Sequence, residues 1–89
     1  MEFSVSPELD VRLTKLKSRD KKLASKIAKQ LILFQSDHRH PSLRTHKLTG
    51  NLGTYWSISI DLHMRMLYIQ NENGAYFFDI GTHDEVYGK

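Results

Sequence analysis

The stretch TYWSISIDLHMRMLYIQNENGAYFFDIGTHDEVY, Thr54 to Tyr87, decides the fold. Trp56, Ile58 and Ile60 alternate with Ser57, Ser59 and Asp61, the period-two signature of a strand with one apolar and one polar face. Met64 to Ile69 and Tyr76 to Ile80 are more uniformly apolar, as expected of strands that lie centrally or are covered on both faces. Asn71-Glu72-Asn73-Gly74 between them is a hairpin signal. Upstream, a short strand around His46-Lys47-Leu48 and a reversal at Asn51-Leu52-Gly53 complete a meander of four strands.

Toward the N-terminus the period becomes helical. Leu9, Leu13 and Leu16 form one stripe behind Ser6-Pro7-Glu8, where serine caps free amides, proline suits the first helical position and the acid favours the positive end of the dipole. Asp20 caps a second helix with the stripe Leu23, Ile27, Leu31 and Phe34, widened by Ala24, Ala28 and Leu33; its other face carries Lys21, Lys22, Lys26, Lys29 and Gln30. The helices follow one another almost without a linker, so an antiparallel hairpin is expected, and Asp37-His38-Arg39-His40-Pro41 ends it. Phe3 and Val5 read as a first strand. The expected architecture is α+β: an N-terminal strand and a helical hairpin packed on one face of a mostly antiparallel four-stranded sheet.

Composition bounds the rest. The chain has 89 residues, enough for one domain spanning 1–89, and 39% of them are hydrophobic, enough for a core. It has no cysteine, which excludes disulfides, thiol nucleophiles and thiolate metal sites. No segment approaches the roughly 18 apolar residues of a membrane span, and Met-Glu-Phe-Ser-Val is not the start of a signal peptide. A soluble cytoplasmic protein is expected, with no membrane partner. The net charge is +3, and the basic residues cluster at Lys15 to Lys29 and Arg39 to Lys47. Such blocks suit a polyanion, although lysines also simply solvate helix faces.

Histidine exchanges protons near neutral pH, and three of the five, His46, His63 and His83, fall at strand ends or loops beside basic residues. Two histidines and an arginine such as Arg65 match what attack by an RNA 2′-hydroxyl on its own phosphate needs: a base, an acid and a cation on the phosphoryl oxygens, without a metal or other cofactor. Tyr87 suits stacking on a splayed base. Structural alternatives stand beside these roles. His83 suits a turn that caps the next segment, Tyr87 a packing anchor, and Arg65 an ion pair with Asp61 or Asp79. His38 and His40 flank Arg39 with no metal-ligand spacing.

The segments THKLTGNLGTYWSISIDLHMRMLYI and DIGTHDEVYG resemble the RelE/ParE toxin superfamily, particularly its YafQ-like mRNA interferases. The resemblance spans essentially the whole chain and is diagnostic from Thr45 to Gly88: a His-x-Leu-x-Gly segment, an Arg-x-x-Tyr pair and a Gly-Thr-His ending. It implies a ribosome-dependent mRNA endoribonuclease, the toxin of a type II toxin-antitoxin system, whose partners are the ribosome, mRNA and a cognate antitoxin. By motif, His46 and His83 match the histidines, Arg65 the arginine at the scissile phosphate, and Tyr87 the closing aromatic. The basic neighbours of His46, Lys47 and Arg44, are expected as further RNA contacts, Lys47 on the phosphate with Arg65. Ser59 stands where YafQ-like members carry another histidine and His63 where they carry aspartate; Ser57 and Ser59 replace lysines of RelE-like members. His63 is therefore a candidate for the missing role. The alternatives are a ParE-like gyrase inhibitor acting by protein binding, or a catalytically weakened RNA-binding relative.

Overall fold

Two side-chain caps frame the first half of the chain. In this computed structural model, which describes residues 1–50 and 53–87, Ser6 Oγ accepts from the Leu9 amide at 3.1 Å, and Asp20 Oδ1 accepts from the Leu23 amide at 3.0 Å. They start α1 (Pro7–Arg19) and α2 (Lys21–Ser36) where the sequence places them. Ahead of them lies β1 (Phe3–Val5). A short 3-10 turn at Pro41–Leu43 follows, then β2 (His46–Gly50), β3 (Gly53–Ser59), β4 (Met64–Asn71), β5 (Gly74–Thr82) and α3 (His83–Tyr87). The expected reversal at Asn51-Leu52 lies outside the described residues, as does Gly88 of the C-terminal motif.

The sheet has five strands, not four, in the order β1-β5-β4-β3-β2. The first strand does not merely accompany the helices: it pairs in parallel with β5, Phe3 opposite Ala75 and Val5 opposite Phe77, while every other pair is antiparallel. Three residues carry too little pattern to name a partner at the far end of the chain. Gly74 makes the pairing sterically feasible. Its φ is +120°, and a Cβ there would lie 2.2 Å from the carbonyl oxygen of Glu2, to which the Ala75 amide donates at 2.9 Å.

Beyond Phe77, β1 no longer covers β5. The backbone of Ile80 is instead satisfied by side chains: Asp79 Oδ1 accepts from the Ile80 amide at 3.0 Å, and Arg12 donates to the Ile80 carbonyl at 2.6 Å and to Asp79 at 2.7 Å. A charged pair thus closes an edge that would otherwise offer unpaired groups. Arg65 pairs with neither Asp61 nor Asp79; Asp61 meets Lys26 at 3.4 Å.

Both long helices pack on one face. Leu9, Ile27 and Phe34 are buried there with Ile58, Met66, Tyr68, Phe77 and Ile80. Phe34 is central, with edge-on rings at 5.1 Å to Tyr68 and 5.2 Å to Phe77. Burial pushes the Tyr68 phenol above its ordinary pKa, partly opposed by a hydrogen bond with Gln70. Two sequence expectations change. Gln30, assigned to the polar face of α2, is buried, because its amide donates to the carbonyls of Ser59 at 2.8 Å and Ser42 at 3.4 Å, tying the helix to β3 and the 3-10 turn. The polar face of β3 does not meet solvent either: Ser57 and Ser59 are buried. Among the described residues no helix is long and apolar enough to cross a membrane.

Candidate active site on the open face of the sheet

Strand register determines which side chains share the face opposite the helices. His46 lies opposite Ser57, and Ser57 opposite Leu67; one row further, Ser59 lies opposite Arg65, and Arg65 opposite Gly81. Facing residues in antiparallel strands project to the same side. His46, Ser57 and Arg65 are therefore brought to one surface from three strands. That surface is the one Arg65 shares with Leu67 and Ile69, so period-two parity is consistent with a site here.

The fourth wall is α3, and Gly81-Thr82-His83 explains its placement. Thr82 Oγ1 accepts from the Glu85 amide at 3.3 Å, and Glu85 Oε1 accepts from the Thr82 amide at 2.7 Å, a reciprocal capping box. The Thr82 amide, then the Thr82 hydroxyl, holds the Glu85 carboxyl below its ordinary pKa. A Cβ on Gly81 would sit 3.0 Å from Glu85 Cβ and 3.3 Å from Val86 Cγ1, so glycine lets the short helix lie close on β5. The cap belongs to Thr82, and His83 is released to be the first helical residue, 73% exposed and 3.8 Å from Asp84. The Tyr87 ring stands edge-on to the His83 imidazole at 4.2 Å.

These walls enclose a cleft of about 370 Å³ lined by His46, Lys47, Leu48, Arg65, His83 and Tyr87. Arg65 is its most constrained member. Its Nε and Nη2 donate to Ser57 Oγ at 3.0 and 2.9 Å, and Nη2 also donates to the carbonyls of Ser57 at 3.2 Å and Arg44 at 2.6 Å. With both lone pairs of Ser57 Oγ engaged by Arg65, its hydroxyl proton is left for the Tyr87 oxygen, with which it is hydrogen-bonded. Among the described residues Arg65 Nη1 has no hydrogen-bond partner, so two N–H donors remain for an incoming anion.

The other sequence candidates are placed differently. His63 is exposed in the β3–β4 connection, its amide held by Asp61 Oδ1 at 2.8 Å, and it does not line the cleft. Ser59 Oγ donates to the Asp61 carbonyl at 2.8 Å and also lies outside the lining. Lys47 borders the cleft, but its ammonium lies 5.9 Å from the centre of the Trp56 ring. Because Lys47 pairs with Trp56, its side chain belongs to the helix-bearing face. Arg44 does not line the cleft; its carbonyl accepts from Arg65, and the residue borders a different cavity. Sequence reading missed Ser57, whose hydroxyl joins Arg65 to Tyr87, and the capping role of Thr82 and Glu85. The latter was legible as Thr-x-x-Glu. Among the described residues no three His, Asp or Glu side chains converge as a metal-ligand set.

The chemistry available is that of two imidazoles and a guanidinium with free donors lining a cleft of about 370 Å³, on a small α+β scaffold with an N-terminal helical hairpin. That scaffold is the one found in bacterial toxins. YafQ in its complex with DinJ from E. coli superposes with a TM-score of 0.75 at 16% identity, covering 98% of each chain. YoeB in its complex with YefM from Staphylococcus aureus gives 0.73 at 23% identity, covering 93% of this chain and 97% of the other. No protein-family model matches the chain. In sequence, a protein of Methanocaldococcus jannaschii assigned as the toxin RelE4 is 32% identical over 99% of this chain and 92% of its own length. The chain belongs to the RelE toxin family.

Proposed function

We propose that the cleft cuts mRNA in the translating ribosome, which makes the chain the growth-arresting partner of a cytoplasmic toxin-antitoxin pair. In the reaction, the 2′-oxygen of one nucleotide attacks its own 3′-phosphate and the bond to the next nucleotide's 5′-oxygen breaks. A cyclic 2′,3′-phosphate and a 5′-hydroxyl result. One of His46 and His83 takes the 2′-hydroxyl proton and the other protonates the leaving oxygen, so the proton count balances without a metal. Arg65 stabilises the charge that develops on the phosphoryl oxygens. Tyr87, half-buried, braces His83 and offers its remaining ring surface to a base.

The observation that carries this reading is the fixed Arg65 guanidinium, held by Ser57 and Arg44 with Nη1 left over, in one cleft with His46 and His83. Lys47 and Arg44 have no phosphate role at this position, and His63 takes no part. A cognate antitoxin is the expected second partner. Beside the cleft on the same open face lies a largely apolar groove of about 520 Å³ lined by Tyr55, Leu67, Ile69, Tyr76, Phe78 and Val86 together with Asp79, surface that a bound protein would cover.

Induced expression tests the reading. Growth and translation stop, primer extension detects new 5′ ends in ribosome-bound mRNA, and His83→Ala or Arg65→Ala abolishes both effects while the variants keep their circular dichroism. Harmless wild-type expression without new ends, or inhibition of DNA gyrase in place of RNA cleavage, would refute it.

A further inference from the structure

A second cavity, of about 500 Å³, opens on the helix-bearing side where the chain passes from α2 into β2. Its walls include His38, Arg39, His40, Arg44, Trp56 and Tyr68, and among the described residues no carboxylate lines it. Its floor is the stacked pair Trp56 and Tyr68, 5.9 Å apart with planes 15° from parallel. Lys47 adds an ammonium over Trp56. The structure binds this cavity to the candidate active site through one residue. Arg44 has a left-handed backbone, φ +44°, a conformation rare outside glycine and concentrated at functional sites. At that turn its carbonyl accepts from Arg65 at 2.6 Å, and the same residue borders the cavity.

We infer that this cavity is a second contact site for single-stranded RNA, which receives phosphates of nucleotides beyond the one held at Arg65 as the strand passes round the edge of β2. The inference rests on the RNA reading of the cleft. The chemistry fits a polyanion. Arg39 and Arg44 supply permanent charges at the cavity and Lys47 a third beside it over Trp56, all exposed; among the described residues no acid lines the cavity to compete, and β2 is the edge strand of the sheet. The position also accounts for Lys47 and Arg44, whose charges the sequence assigns to RNA and the structure directs away from the scissile site.

Full-length protein and fluorescent single-stranded RNAs of about three and about nine nucleotides distinguish the outcomes, with binding followed by anisotropy over a salt series. Arg39→Ala is expected to weaken the longer RNA about threefold and to reduce its salt slope by about 0.7, for one lost single-strand phosphate contact. It leaves the shorter RNA and the thermal midpoint unchanged, whereas Arg65→Ala weakens both RNAs. If Arg39→Ala binds both RNAs like wild type while Arg65→Ala does not, the second site is overturned and the cleft assignment survives. If RNA of neither length responds to Arg65→Ala, both fall. If Arg39→Ala instead loses only capture of the antitoxin, the cavity binds protein and the inference is wrong.

Discussion

Replacing Ser57 by alanine tests how the cleft is held together. The substitution removes one buried oxygen that accepts from Arg65 Nε and Nη2 and is bonded to Tyr87. The loss is smaller than three hydrogen bonds. Arg65 Nη2 keeps the carbonyls of Arg44 and Ser57, and the half-buried Tyr87 hydroxyl can turn to water, so only Nε loses its sole partner. One unpaired, partly buried charged donor costs about 1–2 kcal/mol, which for a domain of this size lowers the thermal midpoint by about 5–12 °C. With a typical stability of about 5–15 kcal/mol the variant remains folded at assay temperature. Its cleavage rate should nevertheless fall about 100-fold, because Arg65 and Tyr87 are released together from their productive geometry. Calorimetry and single-turnover cleavage of ribosome-bound message measure the two effects, and a double-mutant cycle with Tyr87→Phe should show coupling of at least about 0.5 kcal/mol. A lowered midpoint with wild-type cleavage would show that the Ser57 bridge does not position the cleft. An unchanged midpoint would show that the bridge contributes nothing.

Other perturbations have distinct signatures. Gly81→Ala pushes against Glu85 and Val86 and displaces α3, so cleavage drops about 10- to 100-fold while the core transition stays cooperative; wild-type cleavage rates would count against the close-approach argument. Phe34→Ala leaves a cavity among Phe3, Tyr68 and Phe77 and costs about 3–5 kcal/mol in chemical denaturation; a loss under about 1 kcal/mol would mean that Phe34 is not central. Acid should loosen the C-terminal end of β5 and the β3–β4 connection beside it, where Asp61 holds the Met64 amide opposite Thr82 and Glu85 holds Thr82. Burial works to raise the Asp61 pKa but is outweighed by the amides of His63 and Met64 and by Lys26, and Glu85 is lowered by Thr82. Both folded-state values thus lie below the unfolded ones. The stabilisation is complete above the ordinary carboxylate range and disappears as pH falls through the folded values, below about pH 4. Combining Asp61→Asn with Glu85→Gln should flatten this acid limb in a circular-dichroism titration, and an unchanged limb would contradict the assignment.

Local signals in the sequence transferred well to the structure. The caps at Ser6 and Asp20, the hairpin at Asn71 to Gly74 and the change of period after Leu43 each concern neighbours in the chain, and each has a side chain or backbone reason that a short window contains. Long-range pairings were not legible. Nothing near Phe3 names Ala75 as its partner, nothing near Gln30 announces the Ser59 carbonyl, and Arg12 looks like any exposed helical arginine until the uncovered edge at Ile80 is known. The site was divided the same way. His46, Arg65, His83 and Tyr87 were identified by residue type and motif; strand register places the first two on one face, and the capped helix α3 brings the other two to it. His63 was chosen to fill the role of the histidine that Ser59 replaces and Lys47 for its place beside His46, and neither reason says on which side of a strand or beyond which turn a side chain ends.

The parallel pairing of β1 with β5 has a consequence for the making of the protein. During synthesis β1 emerges first and waits, its sheet partner being the last strand to leave the ribosome, with α3 behind it. A contact between distant segments cannot form before the later one is released, and such topologies complete folding late. The wall that carries His83 and Tyr87 follows β5 and is therefore completed only after every strand of the sheet has been made, so the cleft is assembled later than the helical hairpin.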